Sequence, residues 1–239
     1  MTTMIGTAGW SIPSKNRDVF PPLGTALERY ASVLNAVEIN SSFYRSHRFS
    51  TWAKWAASVP EHFRFAVKVP KAITHDAGLL GADGLIEQFA AEVSHLGSKL
   101  AVVLVQLPPK LALDVSAAEC FFKSLHDNIE AKIVCEPRNV SWFTDEANDL
   151  MVRLLVSRAA SDPFLIPPAG VPAGWAGLSY WRLHGSPVMY RSSYDCVALG
   201  RYAWQIRASA DSGSPAWCIF DNTASAEALS NALSLQSEM

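Results

Sequence analysis

Glu38, Asn40, Lys68, Gln106, Glu136, Arg138, Arg182, His184 and Asp221 share a placement. Each stands at or just past the end of a short apolar run, at the parity opposite to that of the run's aliphatic side chains. Residues i and i+2 of a strand point to the same face. In Val37-Glu38-Ile39-Asn40 the aliphatic pair therefore faces one way and Glu38 and Asn40 the other. The same parity isolates Lys68 in Phe65-Ala-Val-Lys-Val69, Gln106 in Val103-Leu-Val-Gln-Leu107, and Glu136 with Arg138 after Ile133-Val-Cys135. Arg182 and His184 share a side in Tyr180-Trp-Arg-Leu-His184, and Asp221 ends the last run.

This set implies acid–base chemistry on an anion. Two carboxylates on separate strands can divide the roles of general acid and base, and Glu38 and Glu136 are the pair available. Lys68 would be their charge partner, or an electrophile or base if burial and neighbouring arginines depress its pKa. With His184, these form the candidate catalytic group. Arg45, Lys68, Arg138, Arg182 and Arg191 could grip a phosphate or carboxylate, arginine through its bidentate fork.

Of the loop aromatics Trp10, Phe43, Tyr44, Trp142, Tyr190 and Tyr194, we assign Tyr44 and Tyr190 to substrate stacking. Thr74-His75 follows the third run and offers a proton carrier at the rim. Asp221-Asn222-Thr223 precedes the last helix, whose free N–H groups would either add to an anion site or simply be capped. The expected binding residues are thus Asn40, Tyr44, Arg45, Thr74, His75, Gln106, Arg138, Arg182, Tyr190, Asp221 and Asn222. The competing reading is a buried ion-pair network that only fills the interior.

Glu38, Glu136, Asp162, His184 and Asp221 are acceptable metal ligands, arriving one per strand, but there is no H-E-x-x-H motif or cysteine cluster. A divalent metal is compatible with the sequence without being its favoured reading, and no metal ligands are assigned. Cys120, Cys135, Cys196 and Cys218 are far apart and form no C-x-x-C pair, so they read as small buried side chains.

The elements needed to position these residues are legible. Strands are expected at Met4–Ala8, Ala36–Asn40, Phe63–Val69, Leu100–Leu107, Lys132–Glu136, weakly at Ala159–Ser161, then Leu178–His184 and Ala216–Asp221. Helical patterns lie between most of them, two opening with capping boxes at Thr25-Ala-Leu-Glu28 and Ser116-Ala-Ala-Glu119. Another carries Leu85, Phe89, Val93 and Leu96 at helical spacing before Gly97. Strand–helix alternation with runs apolar on both faces indicates a parallel sheet covered by helices. A (β/α)₈ barrel closes it most economically, and 239 residues suit one such domain over residues 1–239. A doubly wound sheet is the alternative, but no G-x-G-x-x-G or P-loop follows the first strand. Asp162–Trp175, with Pro163, Pro167, Pro168, Pro172, Gly170 and Gly174, cannot be a continuous helix, so the sixth helix should be irregular or missing.

With 20 Lys+Arg against 22 Asp+Glu the net charge is -2, and no global field draws nucleic acid or an anionic membrane. The N-terminus lacks a targeting pattern, and no apolar stretch reaches the length of a membrane span. A cytoplasmic, soluble protein is expected.

The ordered motifs Gly6-Thr-Ala-Gly9-Trp10, Val37-Glu-Ile-Asn-Ser-Ser-Phe-Tyr-Arg45, Phe65-Ala-Val-Lys-Val-Pro70 leading to Thr74-His75, and Gln106-Leu-Pro-Pro109 resemble those of the YecE-like family, domain of unknown function seventy-two. Glu136-Pro-Arg138 with Ser141-Trp142, Ser161-Asp162-Pro163, Tyr180-Trp-Arg-Leu-His-Gly185 and Phe220-Asp-Asn222 continue the likeness over nearly the whole chain. Cys135-Glu136-Pro137-Arg138 departs from the family's more typical Val-Glu-Phe-Arg. The resemblance implies a (β/α)₈ barrel related to the xylose isomerase and endonuclease IV types, and no established activity.

The expected function is carboxylate acid–base catalysis on a small polar, phosphorylated or carboxylated substrate, with hydrolase, lyase or isomerase chemistry most compatible. Two alternatives are carried forward. One is nucleic-acid binding or processing, with Arg45, Arg48, Lys71 and Arg191 on phosphates and Trp142 or Tyr44 stacking a base; the other is metabolite binding without turnover.

Overall fold

The apolar runs pair in parallel, each beside its sequence neighbour. The computed structural model describes residues 3–164 and 166–239. Its strands are β1 (Met4–Ala8), β2 (Ala36–Ile39), β3 (Arg64–Lys68), β4 (Leu100–Gln106), β5 (Lys132–Glu136), β6 (Val156–Arg158), β7 (Ala160–Asp162), β8 (Ala173–Gly174), β9 (Ser179–Leu183) and β10 (Ala216–Phe220). They form one sheet in the order β7-β9-β10-β1-β2-β3-β4-β5-β6-β8.

The sheet closes through the chain itself. Only Ala159 separates β6, which pairs with β5, from β7, which pairs with β9. The Ala159 N–H donates to the Cys135 carbonyl at 2.8 Å, and the His184 N–H to the Asp162 carbonyl at 2.7 Å. One kinked strand thus bridges both neighbours, and the eight-position barrel follows. The weak sixth strand expected at Ala159–Ser161 is this strand, longer than its sequence pattern suggests.

Around it lie α1 (Ala26–Ala31), α2 (Phe49–Ala57), α3 (Asp83–Val93), α4 (Val115–Asn128), α5 (Asp145–Arg153), α6 (Cys196–Asp211) and α7 (Ala228–Ser237). No α-helix is described between β7 and β9. The prolines there leave a single 3₁₀ turn at Pro167–Gly170 and the short β8, antiparallel to β6.

Side chains alternate between the two faces along the sheet as the sequence parity implies. Val37, Ile39, Phe65, Val67, Val103, Val105, Ile133 and Cys135 pack outward in the helix-facing core. Ala36, Ala66, Val102, Leu104, Val134, Tyr180, Trp217 and Ile219 form the apolar filling of the barrel. Each large apolar side chain so buried contributes roughly 1.5–3 kcal/mol. The charged residues lie on this inner parity, nearer the C-terminal strand ends.

Three local expectations need correction. Thr25 does form its capping box, but the one at Ser116 does not. Asp114 caps α4 instead, accepting from the Ala117 N–H at 3.0 Å, because a carboxylate is among the strongest N-caps and lies two residues earlier. In α3 the buried stripe runs through Ile86, Phe89, Ala90 and Val93, leaving Leu85 partly exposed. The last helix starts at Ala228 rather than after Asn222, so the Asp221-Asn222-Thr223 turn offers no helix N-terminus to an anion.

Gly6 allows β1 to approach β2. A Cβ there would lie 2.1 Å from the Ala36 carbonyl oxygen, a backbone atom held by the sheet. Gly6→Ala should therefore weaken the fold by roughly 1–3 kcal/mol. Urea unfolding should show a lower midpoint at unchanged slope; an unchanged midpoint would show that β1 can yield.

Candidate active site at the barrel mouth

Arg182 organises the polar layer. Its Nε donates to Glu38 Oε2 at 3.0 Å and its Nη2 to Glu38 Oε1 at 2.6 Å, a two-point grip. Nη2 also reaches Asp221 Oδ2 at 3.1 Å, and Nη1 donates to Glu136 Oε2. Three carboxylates from three strands thus converge on one guanidinium. Tyr180 completes the Glu38 environment, its hydroxyl donating to Oε2 at 3.0 Å. Burial and the Glu38 charge push that phenol well up, so it stays a donor.

Arg138 and His184 extend the cluster. Arg138 donates through Nε and Nη2 to Glu136 Oε1, at 3.0 and 2.7 Å. His184 Nδ1 lies 3.0 Å from Asp221 Oδ2, and Nε2 lies 3.1 Å from Glu136 Oε1 and 3.2 Å from Arg138 Nη2. Protonated, His184 donates from both nitrogens to carboxylates. Neutral, with the proton on Nδ1, its Nε2 lone pair faces an Arg138 N–H. The ring can hold or release a proton with its heavy atoms in place.

The ionisation of these groups follows from their surroundings. Burial alone would raise the Glu136 carboxyl, but Arg182, His184 and Arg138 outweigh it and hold it well below the usual range. Asp221 is likewise lowered against the effect of burial, chiefly by Arg182 and His184. For His184 burial lowers the pKa, while the Glu136 charge and the hydrogen bonds of Asp221 and Glu136 more than compensate, and the net shift is upward. Lys68 moves down to about 8: burial is the main cause, Arg182 adds to it, and the carboxylates oppose both.

Lys68 differs from the other cations. Among the described residues it makes no ion pair, and its Nζ sits 4.0 Å from the centre of the Phe43 ring. Glu38, Arg182 and His184 are shut off from solvent. Lys68 remains 9% exposed, and the side chains of Asp221 and Arg138 remain 13% and 16% exposed.

The remaining expected residues divide. Gln106 pairs in register with Glu136 and stands beside the cluster. Asn40 follows β2, its Oδ1 buried without a partner among the described residues. Thr74 is buried, its Oγ1 lying 2.9 Å from His75 Nδ1, and the His75 ring packs edge-on against Phe43 at 5.0 Å. Tyr190 lies 5.6 Å from the His184 ring, ring centre to ring centre. Tyr44 and Arg45 are not brought to the cluster. They line a separate groove of about 300 Å³ with residues of α3, and Tyr44 is 79% exposed. Asn222 is buried and ties loops together, its Nδ2 donating to the Ser192 carbonyl at 2.9 Å and to Asn231 Oδ1 at 2.8 Å.

Trp142 cannot stack a base, being buried with its Nε1–H donating to the Leu111 carbonyl at 3.0 Å. Lys71, also assigned to phosphate contacts, is paired with Asp76. Sequence reasoning gave no site role to Tyr180, although its parity matches Arg182, or to the Phe43 ring as the surface beneath Lys68. Ser42 was missed too; its hydroxyl donates to the Lys68 carbonyl at 2.7 Å and joins the loop after β2 to β3.

Two small recesses open at the mouth. One of about 100 Å³ is bounded by Pro109, Arg138, Phe143, His184 and Met189. The other, about 90 Å³, lies between the loops after β1 and β10. A larger concavity of about 610 Å³ sits at the opposite end, near Trp175 and Trp217, away from the charge cluster. Among the described residues no group of three or more His, Cys, Asp or Glu side chains is placed to hold a metal ion, and no helix is long and apolar enough to cross a membrane.

Residues 4–239 match the family described as "Protein of unknown function DUF72". The chain belongs to the DUF72 family. It is 34% identical over 105 residues to the UPF0759 protein YecE of Escherichia coli K12, a match covering 44% of this chain and 37% of that protein. It is 30% identical over 149 residues to the UPF0759 protein YunF of Bacillus subtilis 168, covering 59% and 52% respectively. The chain thus spans about half the length, or less, of these curated relatives.

Solved structures agree on the fold. A DUF72 protein from Enterococcus faecalis V583 superposes with a TM-score of 0.83 at 21% identity, covering 99% of this chain and 95% of that one. Another from Thermotoga maritima MSB8 gives 0.82 at 19%, covering 99% and 98%. A xylose isomerase-like TIM barrel fused to a 4-hydroxyphenylpyruvate dioxygenase gives 0.51 at 13%, covering 97% of this chain and 41% of that one. The DUF72 chain described here is thus a TIM-type barrel.

Proposed function

We propose that this barrel is an enzyme that performs acid–base chemistry on a small anionic substrate at its C-terminal mouth. Charge placement carries this reading. Glu38, Glu136 and Asp221 balance Arg138, Arg182 and Lys68, so a protonated His184 leaves one surplus positive charge among groups packed around it. A phosphate or carboxylate would supply the missing negative charge. The partly exposed Arg138 and Lys68 are the groups placed to meet it.

The roles differ from the acid–base pair expected of Glu38 and Glu136. Arg182 grips Glu38 at two points, and three positive partners hold Glu136 as a carboxylate, so both serve as fixed negative charges. His184 is the proton carrier, oriented by Asp221 and able to change charge without moving. A water-poor site strengthens each of these interactions.

Thermal melting against a panel of phosphorylated and carboxylated metabolites, near pH 6, tests the proposal. At least one anion should raise the melting temperature of the wild type and fail to do so for Arg138→Met. A panel without any stabilising anion would overturn the reading. Salt-steep binding of duplex DNA in its place would favour the nucleic-acid alternative.

A further inference from the structure

We infer that Lys68 is a carbonyl-trapping amine, forming a Schiff base with a small aldehyde or ketone that carries a carboxylate or phosphate. This deepens, and rests on, the anionic-substrate reading.

The geometry singles out Lys68. It sits at the C-terminal end of β3, inside the barrel and directly under the mouth. Its neighbouring carboxylates are engaged by Arg182, Arg138 and His184, and the Nζ faces the Phe43 ring. A nearly buried ammonium without a hydrogen-bond acceptor is an unfavourable state. Loss of its proton removes that penalty and frees the lone pair. The arginines that occupy the carboxylates therefore keep Lys68 available, as does the burial that brings its pKa down to about 8.

A proton carrier stands on the same platform. His75 packs against the Phe43 ring that also meets Lys68. Thr74 Oγ1 can donate to the Pro70 carbonyl at 3.4 Å while accepting from His75 Nδ1–H at 2.9 Å, which leaves Nε2 with the ring's free lone pair. Burial, with Lys68 next, lowers the His75 pKa and keeps the ring neutral. Phe43 also shields the amine from water.

The step balances without a further reactant. The Lys68 lone pair attacks the carbonyl carbon, a C–N bond forms, and the C=O π pair moves to oxygen. His75 takes the proton from nitrogen and returns it to the oxygen, giving the carbinolamine. The nitrogen lone pair then expels the oxygen as water when a second proton, equal to the one Lys68 released to solvent on becoming the free amine, is delivered through His75, leaving a protonated imine. Arg138 is placed to hold the substrate's anionic group.

Sodium borohydride trapping tests this, using the intact chain with pyruvate in one arm and glyceraldehyde 3-phosphate in the other, followed by peptide mapping. At neutral pH, reduced adduct should form at Lys68 about tenfold or more faster than at exposed lysines, because an amine near pKa 8 holds far more free base than one near 10.4. The seven other lysines are internal controls. The more reactive arm identifies the preferred anionic group. Lys68→Met should lose the fast adduct and keep its melting temperature within a few degrees, since no ion pair is removed.

Labelling of Lys68 no faster than that of the other lysines, in both arms, would overturn the Schiff base. If anions still raise the melting temperature in those samples, the anion-binding enzyme reading survives that result. If they do not, both fall.

Discussion

Arg182→Met should destabilise the barrel by about 3–5 kcal/mol, because it leaves buried carboxylates without their main counter-charge. At roughly 2–4 °C per kcal/mol for a chain of this size, the melting temperature should fall by about 6–20 °C. Glu38 accounts for most of the loss. Without Arg182 its one hydrogen-bond partner among the described residues is the Tyr180 hydroxyl, whereas Glu136 keeps Arg138 and His184. Adding Glu38→Gln to Arg182→Met should recover at least half of the lost stability, since a neutral amide can accept the Tyr180 bond without the cost of a buried charge. Calorimetric melting of the wild type and both variants checks this. An unchanged midpoint in Arg182→Met, or no recovery in the double variant, would mean that the cluster is better hydrated than its burial implies.

His184→Gln should show a stability penalty that depends on pH in a set direction. A group whose pKa is raised on folding adds stability fully present below its unfolded value, near 6.5, and lost as pH rises through the folded value. The His184 pKa is raised, so the penalty should be greatest below about pH 6.5. There it should approach about 1.5–3 kcal/mol, the contribution of hydrogen bonds to a charged group. It should shrink as pH climbs above that point. Glu136 and Asp221 act oppositely: their lowered pKa values give stability present above the unfolded carboxylate range and lost as pH falls through the folded values. Denaturant titrations of both proteins from pH 5 to 9 separate these effects. A pH-independent penalty would mean that folding leaves the His184 pKa unshifted, and a penalty that grows as pH rises would mean that the folded ring stays neutral.

The barrel and its polar layer were readable because both rest on a period of two. Once Val37 and Ile39 turn outward, Glu38 has no choice of side, and the argument repeats at Lys68, Glu136, Arg182 and Asp221. Parity gives a direction but no distance. It could not show that Arg182, rather than Lys68, would take the carboxylates, since both point inward and length and planarity decide between them. The acid–base roles expected of Glu38 and Glu136 therefore shift to His184 in the proposal.

Residues past the strand ends obey no period, and there the reading was weakest. Tyr44 and Arg45 follow a 3₁₀ turn that carries them to the groove beside α3. Trp142 lies in another such turn and is drawn into the core. Asn222 has the right residue type near the right strand end, yet its parity is that of Phe220, outward, and it braces Ser192 and Asn231. The closure at Ala159 had the least signal of all, because a kink shared between two neighbours looks like two poor strands.

Proton-linked anion binding tests the central claim most directly. Calorimetric titration of the wild type and His184→Gln with orthophosphate and with pyruvate, in two buffers of different ionisation enthalpy and above pH 7.5, measures the protons taken up per anion bound. An anion completing the charge balance should draw a proton onto His184, giving clearly greater net uptake in the wild type than in His184→Gln, where Lys68 alone of the two groups can still contribute. Binding without uptake in the wild type, or equal uptake in both proteins, would contradict the assignment of His184 as the proton carrier of this site.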